Sequence, residues 1–443
     1  MGVSLFSMVI TQDKMMDTKL FSIYNDLLAF ANQIEIIDAH EHLPEESKRV
    51  KMLVDFSTLF SHYCIGDMIA AGMNNDDLKV IQDPNQSIEI KWKIFSPYYN
   101  LIKNGSYCRS ARIAMNRFYG KFDLTDLNDA IDITEQIRQS NKPGIYKKIL
   151  EDACRIKTAF LFTNDNFQSN FFKFVDTIDH LCYLRNLDDL LKASDEIGGN
   201  HYTLTNYVDS LGLYLKQKVD RKVKGIKFTC AYYRNLDFQQ VPTAEADRIF
   251  NKLSAPSGLI SDRLTKAISN EDVIILQDYL IRRVLEHCEQ LGLVVVFHTG
   301  LQAGNRNNPQ NAHPGPLWHL FYNYSKLNFV ILHCGLPWLD ETAMLAKSYP
   351  NVFMDMAWVH IISPELSVRA LNTWIDMIPK NKIFGFGGDY MVVEKIYGHL
   401  CMAKENICWA LSEKVANGIM SESEACSWIE HLFYINAKNI YLG

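Results

Sequence analysis

The chain has 443 residues, 48% of them apolar and 22% charged, with a formal net charge of −6. Such a composition excludes a disordered chain and can fill a sizeable core. The acidic balance, with no basic patch read along the sequence, argues against a nucleic-acid or membrane partner.

The ten cysteines include no C-x-x-C pair, so they read as buried thiols in a reducing cytoplasm and not as a disulfide framework. The apolar patch Leu5-Phe6-Ser7-Met8-Val9-Ile10 has no basic residue before it and is too short for a signal peptide. No apolar run is long enough to span a bilayer.

The first strand signal is Glu35-Ile36-Ile37-Asp38-Ala39-His40. Residues 45–150 follow, with helical periodicity and many aromatics, and read as a helical insertion covering the barrel mouth. Arg155–Phe162 and Phe171–Val175 are the expected strands two and three, and Val223–Phe228 the fourth. From His42 to Lys227 the chain spends 185 residues, where three barrel units need about 95. The insertion accounts for the surplus.

Beyond residue 270 the alternation is regular. Leu276, Leu280, Val284 and Cys288 recur at helical spacing, Gly292 stops the helix, and Gly292–His298 is a continuous β-branched and aromatic run. Asn328–His333 repeats the strand, and a helix is expected to open at Asp340-Glu341, whose carboxylates suit the positive helix end. Asn351–Met356 and Lys382–Asp389 complete the set. Near-continuous apolar strands alternating with helices predict a parallel sheet. Steps of 35 residues (His298 to His333) and 34 (Asp355 to Asp389) lie near the ~31 of an eight-fold barrel. A (β/α)8 TIM barrel is therefore expected, as one domain over residues 1–443. A doubly wound open sheet has no Gly-rich phosphate turn to support it.

His40 and His42 are two apart, so both can point to one side of a strand end and chelate one ion. His298 and His333 each close an apolar strand and are each followed within two residues by glycine. Asp389 follows an apolar strand and two glycines, and suits a ligand that also serves as general base. The alternative for each is a packing histidine or a turn aspartate.

These motifs, namely Asp38-Ala39-His40-Glu41-His42, Gly225-Ile226-Lys227-Phe228, Phe297-His298-Thr299-Gly300, Leu332-His333-Cys334-Gly335 and Gly388-Asp389-Tyr390, resemble those of the amidohydrolase superfamily. The resemblance is to its amidohydrolase 2 branch, with decarboxylases similar to aminocarboxymuconate-semialdehyde decarboxylase and the amidohydrolase-like half of nodulin/glutamine-synthetase fusions. It implies His40, His42, His298 and Asp389 as ligands of one divalent ion, Zn first, with Mn, Fe or Ni as alternatives. It implies catalytic roles for Asp389 and His333. Lys227 is either a carbamylated bridge between two metals, an unmodified lysine of a mononuclear site, or the partner of a buried carboxylate such as Asp389.

Arg234 is expected to clamp a substrate carboxylate, or else to be a solvated loop residue. Tyr232, His360 and Arg306 are further candidates for substrate contact. The leading function is a metal-dependent hydrolase cleaving a C–N or C–O bond of a small polar substrate. Non-oxidative decarboxylation and uronate isomerisation are the alternatives. For the latter, His40-Glu41-His42-Leu43-Pro44, the run Asn305–Asn308 and the tail Asn436–Asn439 speak in favour. The absence of a Thr-Asp-Ser-Arg-Ser run at strand eight speaks against. A non-catalytic binding scaffold is the remaining class. The expected partner is a small molecule, carboxylate-bearing where an arginine holds it; the oligomeric state is left open, a homo-oligomer included.

Overall fold

The structure, a computed structural model, describes residues 18–199, 201–254 and 268–443. The apolar patch at residues 5–10 lies outside them. Eight strands form one sheet in sequence order: β1 Ile36–Glu41, β2 Ile156–Phe162, β3 Phe172–Thr177, β4 Val223–Phe228, β5 Val294–Phe297, β6 Phe329–Leu332, β7 Val352–Asp355 and β8 Ile383–Phe384. The pairings β1–β2, β3–β4, β4–β5 and β5–β6 are parallel. The fold is a (β/α)8 TIM barrel. Its strands β1 and β5–β8 are buried at every residue, which is why β5, β6 and β8 read as unbroken apolar runs.

The helix Asn270–Leu291 precedes β5. Ser269 caps it by accepting from the Asp272 amide, and Gly292 ends it at φ 68°, a left-handed position that costs glycine least. The helix Leu339–Ser348 carries Asp340 and Glu341 in its first turn. β8 is shorter than its apolar run suggests. The Gly385 amide bonds to Leu432 O at 2.7 Å, which interrupts the strand there, and Asp389 stands five residues beyond it.

The chain packs as two compact units. One comprises residues 1–161, 303–307 and 355–439; the other comprises 162–302, 308–354 and 440–443. In the first, residues 45–150 are helical, from Glu46–Arg49 to Leu127–Ser140, and contain no strand. These helices build their own core. Phe60 packs on Phe95 at 5.1 Å between ring centroids, and Phe95 stacks on Tyr99 at 5.2 Å. Buried ion pairs pin it: Lys91 to Asp55 at 2.6 Å inside the segment, and Arg49 to Glu394 at 2.9 Å. Breaking either would strand a buried charge at roughly 3–5 kcal/mol.

No helix among the described residues is long and apolar enough to cross a membrane. The ten cysteines are all unpaired, and eight are buried.

Candidate metal centre

In the first unit β1 delivers His40, and His42 follows one residue past the strand end. The segment after β8 is laid along β1 by three main-chain bonds: Ala39 N to Phe386 O at 3.1 Å, Asp389 N to His40 O at 2.8 Å and His42 N to Tyr390 O at 3.2 Å. Only glycines permit this approach. A Cβ on Gly387 would lie 2.7 Å from that of Ala357 and 2.8 Å from that of His40, and one on Gly388 would collide with the Glu41 carboxyl. Asp389 itself sits at φ 56°, a left-handed conformation that aspartate tolerates better than bulkier residues do.

The result is a convergent donor set. His40 Nε2 and His42 Nε2 are 3.2 Å apart, and each is 3.5 Å from Asp389 Oδ1. Among the described residues, these three form a group whose ligand atoms all lie within 4.8 Å of one another. Donors bound to one ion at about 2.1 Å stand roughly 3.0–3.5 Å apart, so the residues fit a divalent metal ion. The site is open on one side: the His42 side chain is 33% exposed, against 0% for His40.

Behind the triad, Asp38 Oδ1 accepts from the amides of His40 (3.2 Å) and Gly388 (3.1 Å), and Glu41 Oε2 accepts from the Tyr390 amide at 2.9 Å. Burial pushes both carboxyls up, Asp38 to about 6 and Glu41 well above the usual range. Asp38 also raises Glu41, since neighbouring anions in a low-dielectric site disfavour each other.

The helical stretch also reaches this site, through residues that sequence reasoning missed. Tyr63 Oη donates to Asp389 O at 2.8 Å. Its ring lies between His62 (3.9 Å, 27°) and Trp358 (4.3 Å, 15°). His62 and Trp358 both have positive φ, 62° and 70°, and such strain gathers where a site over-determines the backbone. Burial, reinforced by Lys395, lowers the His62 imidazole to about 4, so it is neutral near pH 7. The signal in the sequence was the His62-Tyr63 pair, inside the helical insertion that follows β1.

In the second unit the structure groups His298, His333 and Tyr232. The His298 ring is 4.7 Å from that of His333 and 4.7 Å from that of Tyr232. His298 Nε2 lies 3.1 Å from Leu301 O. His333 and Cys334 have φ of 56° and 49°, a strained turn directly after β6. Lys227 is buried, its Nζ 4.9 Å over the Phe162 ring.

Two residues expected to contact substrate have partners within the protein. Arg234 is buried, and its fork is taken by Asp278 Oδ1 (2.7 Å), Gln277 Oε1 (3.2 Å) and the carbonyls of Asn235 (3.0 Å) and Asp237 (2.9 Å). It braces its own loop. His360 is fully buried, with Nε2 2.9 Å from Gly385 O and Nδ1 3.3 Å from Asn406 Nδ2, and so supports the chain behind β8. Arg306 is exposed at φ 69°, and Tyr232 is 37% exposed.

Comparison with solved structures gives the fold. A uronate isomerase from Thermotoga maritima matches with a TM-score of 0.78 at 13% identity, over 95% of this chain and 97% of its own. A glucuronate isomerase from Caulobacter crescentus matches at 0.76 and 16%, over 98% and 97%. Protein fluG from Emericella nidulans is 23% identical over 228 residues, which is 50% of this chain but 26% of fluG. The family model described as amidohydrolase matches residues 158–422, more than half of the chain. With the strand-end histidines and Asp389 arranged as described, the chain belongs to the amidohydrolase family.

Proposed function

We propose that the chain is a metal-dependent hydrolase that cleaves a C–N or C–O bond of a small polar substrate. The observation that carries this reading is the equal 3.5 Å spacing of Asp389 Oδ1 from the two β1 imidazoles. It suits a carboxylate that both holds an ion and handles a proton. A bound divalent ion, with Zn the first choice and Mn, Fe or Ni the alternatives, would supply Lewis-acid polarisation and a more acidic water.

Asp389 accepts the proton of the attacking water and passes it to the leaving group. His298, by its Phe297-His298-Thr299-Gly300 motif, is assigned as a further ligand. His333 is assigned to the oxyanion that develops on the substrate, with Lys227 as an auxiliary and Tyr232 and Arg306 contacting the substrate. With Arg234 committed to Asp278, a decarboxylase reading loses the arginine expected to hold its carboxylate.

Uronate isomerisation is the second reading, favoured by the two isomerases whose folds match over at least 95% of this chain. The experiment is metal analysis of the purified protein with a screen of small amides, lactones and uronates. Release of acid from an amide or lactone supports the hydrolase. Interconversion of an aldouronate and its keto form, with no hydrolysis, replaces it with the isomerase.

A further inference from the structure

The β2-to-β3 connection lacks the usual barrel helix. Residues 163–171 form a loop instead. Its first half is tied beside the end of β3: Thr163 N bonds to Val175 O at 3.2 Å, the Asn164 side chain bonds to both the amide and the carbonyl of Thr177 at 2.8 Å, and Asn166 Nδ2 reaches Asp176 Oδ1 at 3.0 Å. The second half turns back into the start of β3, where Ser169 Oγ accepts from the amides of Phe171 and Phe172.

Where a helix would pack there is a cavity of about 730 Å3, and Lys173, Lys218, Arg221, Lys222 and Lys224 face it with a single carboxylate, Asp220. Lys218 is neutralised by Asp176 at 2.6 Å. None of the other four cations makes an ion pair within 4.0 Å among the described residues. Lys173 gives its Nζ only to Asn170 O at 3.0 Å. Burial, and then Lys224 and Lys222, hold that amine below the usual lysine range. Four cations against one carboxylate in one concavity is an unusual concentration for a chain of net charge −6. It escapes a linear reading because Lys173 and residues 221–224 meet only through β3–β4 pairing.

We propose that this cavity binds a phosphorylated small molecule, its phosphoryl group held among Lys173, Arg221, Lys222 and Lys224. A dianionic phosphoryl group answers several adjacent cations better than a single carboxylate does, and lysine and arginine are its standard ligands. The Phe167 ring, set edge-on to Phe172 at 5.8 Å and to Phe174 at 5.3 Å, gives the organic part an apolar wall. The cations line a pocket and not a stripe, which fits a compact ligand and not a polynucleotide. None of the metal-centre residues lines it.

The test is calorimetric titration of the full chain with inorganic pyrophosphate, whose linked phosphates carry the shared chemistry. Saturable one-to-one binding at about 1 mM or tighter is expected. Lys222→Gln with Lys224→Gln should weaken it at least ~10-fold, because two charge-assisted contacts are lost, and Lys→Arg at both positions should restore it. His40→Ala with His42→Ala should leave it within about two-fold, which separates this cavity from chelation at the metal centre. Absence of saturation at about 10 mM, an unaffected Gln pair, loss in the histidine pair, or tighter binding of a single-stranded oligonucleotide would each overturn the proposal.

Discussion

Tyr63 and Asp389 are 326 positions apart, yet the tyrosine hydroxyl donates to the aspartate's main-chain carbonyl at 2.8 Å. The bond fixes the peptide after Asp389, and so the direction in which its carboxylate leaves a left-handed backbone at φ 56°. Trp358, stacked 4.3 Å from the Tyr63 ring, keeps that ring in place even without the hydroxyl. Tyr63→Phe should therefore fold, lose about 1 kcal/mol from the unpaired buried carbonyl, and lower kcat more than it raises KM. Urea denaturation and steady-state kinetics on one preparation check this. An unchanged kcat would show that Asp389 needs no such brace.

Asp389 carries two demands. As a ligand it must be ionised, and a neighbouring cation favours that form. As a base it must take a proton during turnover. Asparagine is nearly isosteric, accepts the left-handed backbone and can still offer an amide oxygen, but cannot take the proton. Asp389→Asn should retain much of the metal while kcat falls by at least ~10². Near-normal turnover would move the base elsewhere, to His333.

Stability should fall on the acid side for a reason visible behind β8. Burial lowers the imidazoles of His360 and His399, to about 4 and about 3. Each is neutral when folded, but in the unfolded chain each titrates near 6.5. Their contribution is thus complete above about pH 6.5 and is lost as the pH falls toward the folded values, by about 2 kcal/mol each at pH 5. Chemical denaturation at pH 7 and pH 5 measures the drop. His360→Gln should shrink it by about 2 kcal/mol, leaving the parts due to His399 and His62; a drop of equal size in that variant would place its origin in the carboxylates.

How much of this was legible in the sequence differs by element. Strands buried on both faces announce themselves, as in Val294–Phe297 and Phe329–Leu332, because no solvent-facing position interrupts the apolar run. H-x-H and the Gly-Gly-Asp turn were legible for the same local reason, and the structure gathers His40, His42 and Asp389. The partners of the turn were not. Tyr63 meets Asp389, and Lys173 meets Lys224, only through tertiary packing, which leaves no periodicity to read. β8 was overestimated because Phe386 continues the apolar pattern, while the Gly385 amide already bonds outside the sheet to Leu432 O.

Arg234 shows how a functional expectation and a structural role diverge in measurement. A clamp for a substrate carboxylate would leave the fold intact when removed and act on KM. Here the guanidinium spends its donors on Asp278, Gln277 and two carbonyls, and lies 4.9 Å over the Phe238 ring. Asp278 in turn holds the Gln239 amide at 3.0 Å. Its carboxyl is pushed up to about 6 by burial, with Arg234 as the main opposing influence. Removing the arginine leaves that buried acid without its cation, so Arg234→Ala should cost about 3–5 kcal/mol. Arg234→Lys should recover only part, since an ammonium cannot reproduce the planar fork. Arg234→Ala combined with Asp278→Asn should lose less than Arg234→Ala alone, because the stranded charge is gone. Denaturation midpoints of the four proteins, beside KM for whichever substrate the screen finds, decide the matter. A variant with wild-type stability and a raised KM would return Arg234 to the substrate.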